Sequence, residues 1–487
     1  MSSASRFHHV LQFGFKISAY LCSMKRNCFA LLCMLISMCA RAGSDLIPNP
    51  DSRFFLYRVV LTDKQGTPFS LEQPEKFLSK KALDRRKRQG LAVDSTDLPV
   101  SIVYQKRVRE AGAEVVGRSK WNNSLLVRGE NAQALERLVN LPFVKRSIRV
   151  WTSPDSVREH PRRTAFHSEF KKWENMPHSR YGATQNQMEM LNGTMLHKVG
   201  LTGNGLTIAV LDGGFMNVDK IPAFSKVRIL GTRDFVVPAA YNIYKEVEHG
   251  TKVLSTMAVD EPELYAGAAP DASFWLLRCE TDETESLAEE DFWACAVEFA
   301  DSVGADIINS SLGYHYFDDK KTNHCYAELD GESAFISRTA SMLAQKGIVL
   351  VNSAGNDGMG TWKKINFPAD GKDILTVGAV TPERMNAAFS AIGPTADGRV
   401  KPDVMAPGSP VSVVTGRGTI VQETGTSFAA PLVTGLVACL WQGLRSKTAL
   451  QIMELVRQSG DNAATPDNIM GYGVPDFWRA YQKGRSQ

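Results

Sequence analysis

The sequence predicts an α/β fold in which a mainly parallel sheet lies between layers of helices, preceded by a smaller α+β segment. Two observations lead to this prediction. From Tyr181 onward, short apolar and β-branched runs alternate with helical stretches, as in a parallel sheet whose strands are buried on both faces. Residues 44–151 show strands and helices alternating on a smaller scale, which predicts a small α+β domain.

Six short apolar runs predict the strands of the large sheet. They are Leu206–Leu211, Ser273–Leu277, Asp306–Asn309, Ile348–Asn352, Ile374–Val377 and Pro410–Val414. A longer apolar run, Phe428–Leu440, is helical in character.

The smaller segment, residues 44–151, is predicted to contain four strands and at least two helices. The strands lie near Phe54–Leu61, Gly112–Val116, Ser124–Val127 and Val144–Val150, the helices cover Glu75–Gln89 and Ala132–Val139, and Val100–Tyr104 begins a further element. The basic run from Lys80 to Arg88 is interpreted as the solvated face of a helix, with a cleavage site and a nucleic-acid patch as the alternatives.

The N-terminus resembles a secretory signal peptide. Lys25-Arg26 precedes an apolar run, Phe29–Met38, and Ala40-Arg41-Ala42 offers a small-x-small exit, so residues 1–42 are assigned to the signal and Met24 is an alternative start. A lipid anchor on Cys39 is not expected, because Met38 is too large for the residue that usually precedes a lipidated cysteine. The polar segment 152–182 lacks periodicity and is predicted to be a linker where processing takes place. We therefore expect a secreted protein, extracellular or periplasmic, with its catalytic domain at 183–487.

The composition excludes several classes of protein. With 43% hydrophobic and 22% charged residues the chain is globular, and a net charge of +4 is too small for its length to indicate nucleic acid or a membrane surface as partner. Beyond the signal, the cysteines Cys279, Cys295, Cys325 and Cys439 match no metal motif and allow three pairings, among which the sequence does not choose. We expect a monomer that needs no cofactor for catalysis.

A serine stands where a polar loop becomes the apolar helix. Ser427 lies in the frame Gly425-Thr426-Ser427-Phe428-Ala429-Ala430-Pro431, which places it in the first turn of that helix. The unpaired N–H groups and the positive end of the helix dipole there would face whatever the serine attacks. This is a setting suited to a nucleophilic serine.

Two upstream residues complete a catalytic pattern. Asp212 ends a buried strand and is followed by two glycines, at the sheet edge where α/β proteins place their sites. His249 opens an amphipathic stretch in the frame His249-Gly250-Thr251. A serine hydroxyl needs an adjacent base, which His249 would supply, and Asp212 would orient and stabilise the imidazole.

The order Asp, His, Ser and the three surrounding motifs resemble those of the subtilisin-like serine proteases, or subtilases. The spacings of 37 and 178 residues are ordinary for that family. The resemblance implies further roles: Asn356, in Ala354-Gly355-Asn356, as an oxyanion-hole donor, and Ser311-Leu312-Gly313 as a cleft edge that pairs with the peptide backbone. It also implies turns at 401–404 and 406–408, and a pro-segment at 44–151 that assists folding and blocks the cleft. Relatives often bind structural calcium, but no ligand can be transferred to this sequence.

Each motif alone has a simpler interpretation. An Asp-Gly step is usually a turn, a His-Gly-Thr step a helix cap, and a Gly-Thr-Ser step a loop. Their occurrence together, in order, at the ends of predicted strands and helices favours a serine endopeptidase acting on protein or peptide substrates. The alternatives are a catalytically silent subtilase-like protein that binds peptides, which would require a damaged triad, and a hydrolase of esters or small amides, against which the Ser-Leu-Gly edge argues.

Overall fold

The computed structural model describes residues 46–48, 53–154, 156–158, 176–237 and 242–486. The predicted signal peptide, with Met24 and Cys39, and the larger part of the linker lie outside these residues. Strands β1 (Leu46–Pro48) and β6 (Ser156–Arg158) pair antiparallel in a small unit of their own. The elements that follow all belong to the second, larger unit.

The smaller segment folds around a four-stranded antiparallel sheet with its own apolar core. The strands are β2 (Phe55–Leu61), β3 (Glu114–Ser119), β4 (Ser124–Gly129) and β5 (Val144–Thr152), in the order β3-β4-β2-β5, and the helices are α1 (Lys80–Gln89), α2 (Ile102–Glu110) and α3 (Ala132–Glu136). Tyr57, Val59, Leu125 and Val127 point from the two central strands into this core. The predicted α+β segment is confirmed.

Helix α1 is shorter than predicted because Ser79 caps it. The Ser79 hydroxyl accepts the Ala82 N–H, so the α-helix begins at Lys80, and only a 3₁₀ turn, Pro74–Lys76, precedes it. The next element, predicted only to begin near Val100, is helix α2, which Ser101 caps in the same way by accepting the Tyr104 N–H.

The larger part of the chain is built on a seven-stranded parallel sheet with the order β15-β14-β13-β12-β7-β11-β8. Its strands are β7 (Thr207–Asp212), β8 (Arg228–Asp234), β11 (Ser273–Arg278), β12 (Ile307–Ser310), β13 (Val349–Ser353), β14 (Leu375–Val380) and β15 (Val404–Pro407). Two short antiparallel pairs accompany it: β9 (Asp260–Glu261) with β10 (Tyr265–Ala266), and β16 (Val411–Val414) with β17 (Ile420–Glu423).

Helices cover both faces of this sheet. They are α4 (Gln185–Met190), α5 (Gly193–Lys198), α6 (His249–Ala258), α7 (Ala288–Val303), α8 (Phe335–Ser341), α9 (Thr426–Gly443), α10 (Ala449–Gln458) and α11 (Phe477–Ser486). Strand β7 shows the layering: Ile208 and Val210 pack into the core that contains α6 and α9, and Ala209 and Leu211 into the core that contains α7 and α8. The predicted fold class is therefore confirmed.

Three strand predictions were wrong or missing. The run ending at Val414 forms β16, which pairs with β17 in a hairpin and does not enter the parallel sheet. Strand β15 occupies residues that were predicted as turns. Only three apolar residues, Val404–Ala406, lie between Pro402 and Pro407, and the prolines gave a stronger turn signal than strand signal. The edge strand β8 has four exposed residues out of seven, three of them polar, and so lacked the apolar pattern of a buried strand.

The interpretation of the basic run as a solvated helix face was wrong for its centre. Arg85 and Arg86 on α1 are buried, at 0% and 1% exposure. Arg85 forms an ion pair with Asp301 of α7, and Arg86 lies 2.9 Å from the same carboxylate. Burying an unpaired arginine costs free energy, but an arginine that is paired with a buried carboxylate can lie inside an interface between two parts of the chain. Burial raises the pKa of Asp301, but the charges of Lys120, Arg85 and Arg86 outweigh it and lower that pKa.

Helix α7 carries further carboxylates that bind the smaller segment. Glu298 accepts hydrogen bonds from the Ser119 hydroxyl at 2.6 Å and from the backbone N–H groups of Lys120 at 2.6 Å and Trp121 at 3.1 Å, all at the β3–β4 turn. Arg58 on β2 reaches Asp291 at 2.7 Å. The smaller segment thus docks on the part of the chain that holds the parallel sheet through buried polar contacts as well as apolar ones.

Candidate active site

Asp212 and His249 lie side by side at the carboxyl edge of the parallel sheet. Asp212 is the last residue of β7 and is fully buried, while His249 is the first residue of α6 with 38% of its side chain exposed. His249 Nδ1 is 3.0 Å from Asp212 Oδ1 and 2.9 Å from Asp212 Oδ2. The structure therefore brings these two predicted site residues into direct hydrogen-bond contact.

The backbone packing around Gly250 leaves no room for a side chain directly after His249. A Cβ atom at Gly250 would lie 2.3 Å from the Gly214 carbonyl oxygen and 2.9 Å from Asp212 Cβ. Only a residue without a side chain lets the start of α6 approach the turn after β7 so closely. The close approach sets the distance between His249 and Asp212.

The protonation of His249 follows from its partners. Burial alone would lower the pKa of this imidazole, but the charge of Asp212 and its hydrogen bond outweigh burial and raise the pKa to about 9. With Nδ1–H donated to the carboxylate, the neutral ring presents Nε2 as an acceptor on its opposite side. The His249 side chain can thus accept a proton at Nε2 while Asp212 stabilises the resulting charge.

Ser427 lies in the first turn of α9, at the same cleft as His249. Its hydroxyl donates to the Ser311 carbonyl oxygen at 3.2 Å, and the Ser311 hydroxyl donates back to the Ser427 carbonyl oxygen at 2.8 Å. Among the described residues, the Ser427 hydroxyl bonds to Ser311 and not to His249. Resting hydrogen bonds at such sites often rearrange when substrate binds.

Asn356 is oriented by its neighbour Thr426. The Asn356 Oδ1 atom accepts hydrogen bonds from the Thr426 backbone N–H and from its hydroxyl, both at 3.0 Å. Because a backbone N–H can only donate, the amide oxygen must face Thr426, and the NH₂ group must point the other way. Asn356 lines the cleft together with Ser427, so its NH₂ group is available as a donor there.

The segment Ser311-Leu312-Gly313 continues β12 and forms one wall of the cleft. Cavities of about 570 Å³ and 550 Å³ meet at the site and share five lining residues: Val247, His249, Asp282, Asn356 and Ser427. All seven residues predicted for the site, Asp212, His249, Ser311, Leu312, Gly313, Asn356 and Ser427, line this cleft.

The cleft has an acidic character that was not predicted from the sequence. Glu280 to Glu285 follow β11, the neighbour of β7, and line the larger cavity with Asp318 and Asp357. Burial and then the charge of Asp212 raise the pKa of Glu280 to about 8. The sequence does contain a signal for this. Strand β11 is the parallel neighbour of β7, so carboxylates that follow β11 lie at the same sheet edge as Asp212.

Other expectations concern metals, thiols and membranes. Among the described residues, no group of three or more His, Cys, Asp or Glu side chains is arranged to hold a metal ion. Cys279, Cys295, Cys325 and Cys439 are free thiols, and Cys439 is buried as a small apolar residue would be. Within the part of the chain described, no helix combines the length and apolar character needed to cross a bilayer.

Comparison with known proteins gives two family matches. A model of the subtilase family matches residues 203–473, and a model of the peptidase S8 propeptide domain of Bacteroidota matches residues 56–167. The second match covers the smaller α+β segment and extends into the linker.

Individual relatives agree with these matches. The thermostable alkaline protease of Halalkalibacterium halodurans is 28% identical over 297 residues, which are 61% of this chain and 73% of that protein. Subtilisin NAT of Bacillus subtilis subsp. natto is 30% identical over 263 residues, 53% of this chain and 60% of that protein. The crystal structure of MycP1 from Mycobacterium smegmatis superposes with a TM-score of 0.52 at 22% identity, covering 66% of this chain and 89% of that one, which supports the fold alone. Since the subtilase model spans more than half of the sequence, the chain belongs to the subtilase family of serine peptidases, with an S8 propeptide domain ahead of the catalytic part.

Proposed function

We propose that the protein is a secreted serine endopeptidase that cleaves peptide bonds through Asp212, His249 and Ser427 and an acyl-enzyme intermediate. The observation that carries the proposal is the Asp212–His249 pair, with Nδ1 2.9 Å from the carboxylate, in one cleft with a serine at a helix N-terminus.

The reaction begins when the Ser427 hydroxyl leaves the Ser311 carbonyl and turns toward His249 Nε2. His249 accepts the hydroxyl proton while the serine oxygen attacks the scissile carbonyl carbon, and Asp212 stabilises the imidazolium. The proton then passes to the leaving amine as the C–N bond breaks. Water, activated by the same imidazole, hydrolyses the ester on Ser427 and restores the hydroxyl.

Negative charge on the carbonyl oxygen needs donors that are fixed before the reaction. The Asn356 NH₂ group and the Ser427 backbone N–H fit this role, the first because Thr426 holds the amide, the second because first-turn N–H groups have no acceptor in the helix. No metal or cofactor takes part in the proposed steps; a structural calcium ion remains an open expectation.

An endopeptidase requires a cleft that continues on both sides of the cleaved bond. The two cavities share five lining residues, His249 and Ser427 among them, but are otherwise lined by different residues, so the cleft continues beyond the catalytic pair in more than one region, which supports binding of an internal peptide segment. The backbone of Ser311, Leu312 and Gly313 would pair with the extended substrate.

The precursor is proposed to carry a signal peptide at 1–42, a pro-segment at 44–151, a linker at 152–182 and a catalytic domain at 183–487, and to act as a monomer. The pro-segment would serve as an intramolecular inhibitor. Its buried contacts with α7 support a tight association before processing.

A fluorophosphonate probe tests the nucleophile. The wild-type chain should be labelled on Ser427 and should cleave a casein-derived peptide mixture; Ser427→Ala should do neither and should keep its pro-segment by intact mass. Ser225→Ala, at an exposed serine away from the cleft, is the matched control and should behave as wild type. Peptide binding by a wild-type protein that neither takes the label nor cleaves would favour the catalytically silent alternative.

A further inference from the structure

The larger cavity of the cleft has a one-sided charge. Its lining contains Asp212 and six further carboxylates, Glu280, Asp282, Glu283, Glu285, Asp318 and Asp357, and among the described lining residues there is no lysine or arginine. The chain as a whole has a net charge of +4, so this acidity is local. A cleft lined by one sign of charge attracts ligands of the opposite sign.

The carboxylates are spread along the groove and do not form a metal site. In the described residues no group of three such side chains is arranged around one ion, and Glu280, Asp282, Glu285 and Asp318 form no ion pair there. Burial and then the charge of Asp318 raise the pKa of Glu285 to about 7. Crowded carboxylates with few cationic partners favour an extended ligand that brings several positive charges.

A second feature, a buried amide, lies in the same cavity as Ser427. Asn366 stands between Gly313 and Gly355, since a Cβ atom on either glycine would lie 2.9 Å from an Asn366 side-chain atom. Asn366 lines the cleft and is only 7% exposed, and its Oδ1 has no hydrogen-bond partner in the described structure. Its Nδ2 donates to Asp357 Oδ2 at 2.9 Å. The pocket therefore presents a buried acceptor without a donor, next to a carboxylate.

A substrate side chain can reach this pocket directly. The residue whose carbonyl would lie against Asn356 and Ser427 carries its side chain on the adjoining Cα, and the 311–313 wall, Asp357 and Asn366 line the same cavity as those two residues. Lysine and arginine end in groups that only donate hydrogen bonds and carry a positive charge. Such an end group satisfies both Asn366 Oδ1 and Asp357.

We propose that this cleft selects basic peptides, and that Asp357 and Asn366 hold a lysine or arginine side chain immediately before the cleaved bond. The inference rests on the proposed peptidase function and names its substrate class. The Glu280–Glu285 segment extends the preference to basic residues elsewhere in the peptide.

The chain carries a substrate of this kind itself. The predicted linker contains two pairs of consecutive basic residues, Arg162-Arg163 and Lys171-Lys172. A cleft that prefers basic residues is suited to cutting this segment, which separates the pro-segment from the catalytic domain.

The test uses a series of fluorogenic peptides that differ only in the residue before the cleaved amide: lysine, arginine, norleucine, glutamine or glutamate. Hydrogen bonds to charged groups are strong enough for a preference of roughly 10- to 100-fold in kcat/KM for lysine over norleucine. Asp357→Asn keeps the size of the side chain and removes its charge, and it should lower the lysine-to-norleucine ratio about tenfold. Asp219→Asn, at an exposed aspartate outside the cleft, should leave the ratio as in wild type.

The outcomes separate the two proposals. If wild type takes the fluorophosphonate label and cleaves norleucine or glutamate peptides as well as lysine peptides, the basic preference is overturned and the peptidase function stands. A preference for lysine that survives Asp357→Asn overturns the assignment to this pocket. Absence of both labelling and cleavage overturns the peptidase function and the inference with it.

Discussion

Replacing Asn356 in two ways separates its catalytic role from its structural one. In Asn356→Ala the side chain loses both the NH₂ donor and the oxygen that accepts from the Thr426 N–H and hydroxyl. In Asn356→Asp an acceptor oxygen remains for both Thr426 donors, and only the NH₂ group is lost. The two variants therefore differ in structure but share the loss of the proposed oxyanion donor.

The expected magnitudes follow from these contacts. Loss of one oxyanion-hole donor costs about 10²–10³ in kcat, or roughly 2.7–4 kcal/mol, and KM should change little because the ground-state carbonyl needs the donor less. The aspartate variant should lose at least as much, since its charge faces a developing negative charge. For the unfolding free energy we expect the alanine variant to lose more than the aspartate variant. The alanine variant loses two hydrogen bonds at an exposed side chain, at most about 1 kcal/mol each, whereas the aspartate variant keeps both.

The assay is steady-state kinetics on a peptide amide at a pH above 9, together with thermal unfolding of each variant. A kcat that falls only in the alanine variant, in parallel with its melting temperature, would show that Asn356 acts through Thr426 alone. An effect below threefold in both variants would also refute the oxyanion assignment.

Four further predictions follow from the charged groups. Because the pKa of His249 is raised to about 9 and the base must be neutral, kcat/KM on an uncharged peptide should rise with pH, reach half its maximum near pH 9 and level off above that; a plateau already near pH 7 would contradict this. Because the folded state binds the His249 proton more strongly than the unfolded state does, protonation of His249 raises the unfolding free energy. This contribution is fully present below about pH 6.5 and is lost as the pH rises through 9. In the unprocessed Ser427→Ala chain, Arg85→Ala should lower the unfolding free energy by about 3 kcal/mol, since it removes a partner of buried Asp301, whereas Lys87→Ala, exposed on the same helix, should cost almost nothing; equal effects in calorimetry would refute the docking role. Serine in place of both basic pairs of the linker should block self-processing as judged by intact mass, and normal processing would contradict cleavage at these pairs.

The parts of the fold predicted well from sequence were those with strong local signals. Strands such as β7 and β13 are uniformly buried, and their apolar runs ended within one or two residues of the observed strands. The site residues Asp212, His249 and Ser427 were found because each stands at a strand or helix end within a recognisable frame. Their contacts, including the resting bond from Ser427 to Ser311, depend on tertiary placement, and the sequence alone does not contain them.

The errors came from long-range partners. Val411–Val414 has the composition of a buried strand, but its pairing with Ile420–Glu423 decides which sheet it joins. The basic run of α1 was expected to face solvent because arginine usually does, and only the carboxylate of Asp301, more than 200 residues away, makes its burial favourable. Asn366 and Asp357 carry no local signal, since a turn residue and a pocket residue look alike until the chain has folded around them.

The ion pairs between α1 and α7 have a consequence for the protein after maturation. Lys and Arg outnumber Asp and Glu by 20 to 12 in residues 44–151, whereas Asp and Glu outnumber Lys and Arg by 36 to 25 in residues 183–487. Removal of the basic pro-segment would turn a nearly neutral precursor into an anionic enzyme with a much lower isoelectric point. It would also leave Asp301 and Glu298 without their present partners, facing water. We therefore expect release of the cut pro-segment to be favoured by salt, and the two forms to separate on an anion-exchange column.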